Sequence, residues 1–451
     1  MAGAAAWLRD SARAQLWPLP VAGVTAAVIL GVLLPHVDAG VDDSLAGWAG
    51  GMLFGGDAGA ARTVLDAIAG SLITVTSLTF SLTVVTLQLA SSQFSPRLLR
   101  TFTRDLFVQV TLAVFLATFT YSLTVLRGVR SPAGSSPGFV PRISVTVSFV
   151  LAVASVIVLV LFLAHLARQI RVETMLRDVH ADASATVRAV LPAAGATGTR
   201  DSRDYPRPPP GAVTIVAPAS GFFVQIDEAA VLRAASETDS IVLIDRFPGS
   251  SLVGGSPMGV AWPAAGQAFA DGVSTALQHL VGAAVRTGFE RTAVQDVGYG
   301  LRQLTDVANK ALSPGINDPT TAVHALGHIS ALLCELADHD LGPVLLHDGQ
   351  HQVRAVLARP ELGSLLDAAI TQPRRYGAAD PQVLSRLYAL LAELAWHARP
   401  GQQAAITAQL ARLQATTAAQ DFGPDERAQL AALAIQVHDA LAGRYIPRGH
   451  P

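Results

Sequence analysis

The densest set of groups able to do chemistry lies between residues 286 and 333, in "RTGFERTAVQDVGYGLRQLTDVANKALSPGINDPTTAVHALGHISALL". Here Glu290, Arg291, Gln295, Asp296, Arg302, Asp306, Asn309 and Lys310 alternate with apolar residues. Ser313-Pro314-Gly315 breaks the helical pattern, and Asp318-Pro319 restarts it, with Asp as N-cap and Pro as first helical residue. Capping accounts for Asp318. The alternative is an anion held at that helix start beside Lys310, because the first amides of a helix point outward unpaired. Glu290, Arg291, Asp296, Arg302, Lys310, Asn317 and Asp318 are therefore the candidate ligand or contact residues of this half of the chain. Two histidine pairs, His324/His328 and His347/His351, have the four-residue interval of metal ligands on a helix, but neither has a carboxylate motif beside it. No phosphate-cradling lysine loop, no His-Glu-x-x-His and no Gly-x-Ser-x-Gly elbow occurs in the sequence. The expectation is a protein without catalytic residues, metal or cofactor.

A second set lies in "SLITVTSLTFSLTVVTLQLASSQFSPRLLRTF", residues 71–102, a stretch apolar enough for a membrane yet rich in hydroxyls. At 100° per residue its polar side chains form two stripes. Thr76, Thr79, Thr83 and Thr86 share an arc of about 80°. Thr74, Ser77, Ser81, Gln88 and Ser92 share another, nearly opposite. Two readings are open. One is a central helix enclosed by protein, its hydroxyls bonded to carbonyls a turn earlier or across helices. The other has the Thr74–Ser92 stripe lining a polar pathway, with Gln88 the most discriminating group because a primary amide cannot satisfy itself locally. Beyond Ser95-Pro96, Arg97, Arg100 and Arg104 at helical spacing read as a short amphipathic anchor at the inner membrane interface. Voltage sensing would need arginines within the span, and these flank it.

Positioning these groups takes a membrane domain. Four segments, 16–37, 67–96, 106–126 and 143–164, reach the roughly 20 residues needed to cross the hydrocarbon, and none contains a fixed charge. That absence counts against a proton-driven transporter. Ser144, Ser148 and Ala152 on the fourth span, and Ala113 and Ala117 on the third, recur every four residues and read as packing seams. Arginine placement sets the orientation. One side of the membrane receives Arg9, Arg13, Arg97, Arg100, Arg104, Arg168, Arg171 and Arg177; the other receives Arg62, Arg127, Arg130 and Arg142. This bias places both termini in the cytoplasm.

Residues 167–191 continue as a helix with alternating charge, and 192–210 reads as a flexible Gly/Pro-rich linker. Residues 211–262 are β-branched runs punctuated by Gly and Pro, spaced like a small sandwiched barrel of the biotinyl-carrier type but without a lysine to carry the cofactor. From 263 onward the leucine spacing is helical, which predicts a helical bundle to residue 451. The fold class expected is thus an α-helical integral membrane protein with four transmembrane helices (domain 1–166) and a cytoplasmic α+β region. That region comprises a helix and linker (167–210), a small β-barrel or sandwich-like module (211–262) and a helical bundle (263–451).

The formal charge of −2 offers no basic field for nucleic acid, and the single cysteine, Cys334, excludes an intrachain disulfide. Four ordered motifs, "LQLASSQFSPRLLRTFTRD" (87–105), "SGFFVQID" (220–227), "RTAVQDVGYGLRQLTDVA" (291–308) and "ALSPGINDPTTAV" (311–323), closely resemble a bacterial family of predicted membrane proteins known as domain of unknown function 2254. The resemblance implies an integral inner-membrane protein with a cytoplasmic C-terminal region, and brings no catalytic residues to carry over. Where that family usually shows Pro-Gly-Asp-Phe-Val, this chain has Pro248-Gly249-Ser250-Ser251-Leu252, so an acidic turn is missing. The expected partners are membrane lipid and further copies of the same chain. The leading functional expectation is a homo-oligomeric channel whose second spans gather around an axis. Its rival is a membrane-anchored sensor or scaffold that binds an anionic ligand or protein partner through the cytoplasmic helical domain.

Overall fold

In the computed structural model the described residues are 17–41, 53–93, 105–132, 138–169, 171–193, 205–266 and 268–444. Contacts divide the chain into two units, Met1–Arg171 and Val172–Pro451. The apolar runs of the first unit form helices α1 (Pro18–Val41), α2 (Ala58–Gln93), α3 (Leu106–Gly128) and α4 (Arg142–Gln169). Each contains a stretch long and apolar enough to cross a membrane: Pro18–Gly40, Ala58–Leu89, Leu106–Gly128 and Arg142–Arg168. At 1.5 Å per residue α2 is longer than the hydrocarbon is thick, and its first turns carry Arg62 and Asp66, where no apolar run was expected.

The third span is the central helix of this unit, packing against α1, α2 and α4. One of the two sequence readings gave the second span that role, but α2 buries only one face. The reason lies in small residues. A side chain at Gly31 of α1 would meet Thr124 of α3 at 2.8 Å, and one at Gly23 would meet the carbonyl of Ala113 at 3.2 Å, so α1 rides close along α3. On the α4 side, Ser122 and Ser148 share a hydrogen bond of 2.6 Å and Thr118 and Ser155 one of 3.3 Å. Ala61 and Leu65 of α2 and Tyr121 and Val125 of α3 close one end of the core; Val108, Leu112 and Phe162 close the other.

Asp38 settles how α4 begins. It lies one residue beyond the expected end of the first span, within α1, and is only 4% exposed. Its carboxylate accepts from the amides of Ile143 (2.8 Å) and Ser144 (3.0 Å) and from the Ser144 hydroxyl (2.5 Å). A carboxylate on one span thus satisfies the orphan amides opening another, an N-cap supplied from about 105 residues away in sequence. At the other end of the bundle Asp105 caps α3 through the Phe107 amide (2.8 Å) and meets His165 of α4 at 2.5 Å.

The second unit opens with α5 (Val172–Val190), whose apolar face, Met175, Leu176, Val179, Ala183 and Val187, is buried. Of the expected linker, Pro192 and Ala193 are tied to the segment near His339 by an isolated bridge, and 194–204 lie outside the described residues. Then follow β1 (Val213–Val216), β2 (Gly221–Ile226), α6 (Glu228–Glu237), β3 (Ser240–Ile244), β4 (Ser251–Leu252), β5 (Pro257–Pro263), α7 (Val273–Ala284) and β6 (Val285–Gly288). After them come α8 (Tyr299–Ala311), α9 (Pro319–Ala337), β7 (Val344–His347), β8 (Val353–Leu357), α10 (Leu362–Tyr376), α11 (Pro381–His397), α12 (Gln403–Ala418) and α13 (Pro424–Leu441).

Two open sheets form, in the orders β1-β5-β3-β8-β7 and β4-β2-β6; no barrel closes. This corrects the expected barrel-like module and the expected purely helical remainder. β6, β7 and β8 come from the region read as helical, and β8 lies parallel to β3 in the middle of the larger sheet. The core between sheets and helices joins Ile215, Phe223, Val242, Ile244 and Met258 to Leu277 and Val281 of α7 and Leu357 of β8. Strands of four or five residues that pair with distant partners carry too few positions for a two-residue period to stand out. His347 therefore ends a strand, and His351 sits in a turn at φ +60°, so that pair is not on a helix.

Two glutamine side chains complete this scaffold. The Gln278 amide receives the Val216 N–H (2.9 Å) and donates to its carbonyl (2.9 Å); Gln295 does the same for Ile226 (2.9 and 3.2 Å). A primary amide carries the donor and acceptor of a peptide unit, so each stands in for a missing neighbouring strand.

Candidate functional site

Burial separates the two stripes of α2 cleanly. Thr76, Thr79, Thr83 and Thr86 are buried on the face toward α3 and α4. Three of them bond back to carbonyls a turn earlier: Thr76 to Leu72 (2.6 Å), Thr83 to Thr79 (2.8 Å) and Thr86 to Leu82 (2.9 Å). These bonds make hydroxyls cheap to bury in a helix–helix seam. Thr74, Ser77, Ser81 and Gln88 lie on the opposite side and are exposed, facing away from the helices of their own chain. Ile73, Leu78, Phe80, Val84, Val85 and Leu89 flank them, also exposed. Thr74 bonds back to the Gly70 carbonyl at 3.1 Å, whereas Gln88 has no hydrogen-bond partner among the described residues. The Ser92 side chain and the expected anchor Arg97, Arg100 and Arg104 lie outside the described residues.

The seven candidates of the second unit do not converge. Arg291 and Asp296 pair at 2.6 Å (Nη2) and 2.9 Å (Nε), and Asp296 also accepts from the Gly298 amide at 3.1 Å. Burial raises the Asp296 carboxyl above its ordinary range even though Arg291 pulls it down. Gly249, at φ +98°, presses on this pair: a Cβ there would meet Asp296 Oδ2 at 2.3 Å and Arg291 Nη2 at 2.8 Å. The Pro248-Gly249 turn is thus the lid of an ion pair, and only glycine fits it. Thr186 of α5 donates to the Ala293 carbonyl at 3.0 Å and Gln295 holds β2, so the loop before α8 fastens three elements together. Arg302 pairs within α8 with Asp306 at 3.1 Å, and Glu290 lies exposed after β6.

Lys310, Asn317 and Asp318 sit at the other end of α8, a 13-residue helix about 18 Å long at 1.5 Å per residue. Lys310 is exposed, and Asn317 takes the left-handed conformation (φ +51°) that turns the chain into α9. Asp318 caps α9 as the sequence indicated, accepting from the Thr321 hydroxyl (2.6 Å) and amide (3.0 Å). Those two bonds hold its carboxyl below the usual carboxylate range. Asp318→Ala is expected to cost about 1 kcal/mol, as lost caps do. Denaturant unfolding in detergent followed by circular dichroism checks this, and an unchanged midpoint would contradict the cap.

Residues 13–393 match the family described as predicted membrane protein (DUF2254). The chain belongs to the DUF2254 family. An uncharacterised protein of Mycobacterium tuberculosis and one of Mycobacterium bovis are each 36% identical to it over 411 residues, covering 89% of this chain and 76% of theirs. No solved structure matches the chain. The matched span of this DUF2254 chain takes in all four membrane-length helices and both sheets, and ends within α11.

Sequence reasoning missed three polar junctions: Asp38 on α4, Asp105 with His165, and His180 of α5 beside His328 of α9. The first two carried a usable signal, an acidic residue at the end of an apolar run, which is the position of a cap. The third had none, because His180 and His328 are 148 residues apart and meet only through folding.

Proposed function

We propose that this protein is a non-enzymatic, homo-oligomeric channel of the bacterial plasma membrane. In this reading its copies meet through the outward face of α2, with both termini in the cytoplasm. The observation that carries the reading is Gln88, exposed and unpartnered on an apolar helix. Hydrocarbon offers an amide no hydrogen bond, and leaving one unsatisfied there costs several kcal/mol. Thr74, Ser77 and Ser81 continue the same line, directly opposite the seam that α2 makes with its own chain. Gathering α2 from several copies removes the stripe from lipid and gives it water and polar neighbours. The flanking Phe80, Val84, Leu78 and Val85 then pack against adjacent copies, and uncharged hydroxyls and amides line the axis.

Purified protein in liposomes loaded with an ion-sensitive dye tests this. Wild type is expected to pass ions, and Gln88→Leu to change the flux by about tenfold, the effect of one 1.4 kcal/mol interaction. Ser81→Cys in a Cys334→Ser background is expected to cross-link between copies. Absence of flux together with absence of cross-linking refutes the reading. The rival, a sensor binding an anion through 286–318, draws less support: Arg291, Arg302 and Asp318 are each engaged within their own fold.

A further inference from the structure

Two histidines meet where α5 packs on α9, and a third lies nearby on α9. The His180 ring on α5 and the His328 ring on α9 stand 5.4 Å apart, centroid to centroid, tilted by 56°. His324 lies one helical turn before His328 and acts electrostatically on it. The Nδ1 atom of His180 is buried and has no hydrogen-bond partner. A buried ring nitrogen without a partner is costly and calls for an explanation. A metal ion is not that explanation, because no group of three or more His, Cys, Asp or Glu among the described residues is placed to hold one.

We propose that His180, His324 and His328 form a proton-operated latch, which holds the first half of α5 on α9 near neutral pH and loosens it in acid. Neutral imidazoles pack against each other at the helix interface; imidazoliums at the same distance repel, and each loses hydration there. Burial first, and then the charges of His180 and His324, push His328 below the ordinary imidazole range. The sign follows. A histidine that binds its proton less readily folded than unfolded contributes full stability above its ordinary value near 6.5, and that contribution falls as pH drops below it.

Two carboxylates oppose part of this, Glu335 acting electrostatically on His180 and Asp318 on His324, while burial and the two other histidines are what act on His328. From α8, Arg302 and Asp306 pair with each other. From α11, Arg386 and Glu393 pair beside Ser330, about 200° round α9 from His328. On α5 itself Arg177 pairs with Asp178. Asp318 lies near His324, at the exposed end of the set. Glu335, two turns along α9, works as an anchor. It accepts from Ser184 at 2.5 Å and from Arg188 at 2.9 Å. Although partial burial opposes them, these bonds hold its carboxyl below the usual range, so it stays ionised where His328 takes up its proton. The second half of α5 therefore stays fixed and the first half, which follows the fourth span in the chain, is the part that opens. This inference does not depend on what the spans conduct.

Hydrogen–deuterium exchange of the full-length protein in detergent tests it, with rates corrected for the intrinsic pH dependence. Between pH 7.5 and 5.5, peptides within 172–183 are expected to lose protection by about tenfold, which corresponds to about 1.4 kcal/mol. Peptides within 184–190 are expected to change less. In the His180→Gln/His328→Gln variant the acid response should disappear. His324→Gln, at an exposed position that does not disturb packing, should shrink it. Unchanged protection of 172–183 in wild type overturns the proposal, as does an acid response of full size in either variant.

Discussion

Replacing Arg291 with alanine is expected to destabilise the second unit by about 3 kcal/mol, because it strands a buried carboxylate. Asp296 is 4% exposed and, besides Arg291, is held by the Gly298 amide. Burial already raises its proton affinity in the presence of the arginine. Without the arginine the folded state binds that proton more tightly still than the unfolded chain does. Folding then takes up protons, and stability must rise as pH falls. The defect of Arg291→Ala is therefore expected to shrink between pH 8 and pH 5. Thermal unfolding of wild type and variant across that range measures it. A defect that stays constant with pH would mean that Asp296 is not the stranded group. A variant as stable as wild type would mean that Arg291 is held for a ligand and not for the fold.

Replacing Asp38 with alanine is the corresponding experiment in the membrane unit, with an expected loss of about 3 kcal/mol. Three hydrogen bonds to one carboxylate disappear, and the amides of Ile143 and Ser144 are left without an acceptor at a buried helix start. Asp38→Asn should recover part of the loss, since an amide oxygen still caps but carries no charge to meet the helix dipole. Unfolding in detergent, followed by circular dichroism, is the measurement. Equal stability of the alanine and aspartate forms would show that water caps α4 equally well. Any loss should appear in Met1–Arg171 and leave the acid response of α5 untouched, since the two sets of contacts share no residue.

Several of the sequence readings rest on single-residue chemistry that no tertiary context overturned. Asp318-Pro319 opens α9 as a cap and first-turn proline because both effects act within three residues. The α5 helix shows its apolar stripe for the same reason. The Arg286-to-Asp318 constellation failed as one site because its members were joined by sequence proximity alone. A 13-residue helix stands between them, and Arg291 and Arg302 each found a carboxylate within a few residues. The purely helical reading beyond 263 failed where β7 and β8 are short and β8 pairs with a strand about a hundred residues earlier.

What the sequence determined by itself was the presence of four membrane-length helices and a mixed α/β remainder. Run length and apolar content are properties of consecutive residues, and the cost of unpaired backbone in hydrocarbon leaves a helix as the only outcome for an isolated 20-residue run. It also determined that the second span carries two opposed polar stripes, which is helical arithmetic. Only the tertiary structure decided which stripe is the seam and which is the outer face. That choice depends on which helix is narrow enough, through Gly23 and Gly31 of α1 and the serine pairs of α4, to let α3 take the centre. With α3 there, the threonines of α2 turn inward onto it, and Thr74, Ser77, Ser81 and Gln88 are left facing outward.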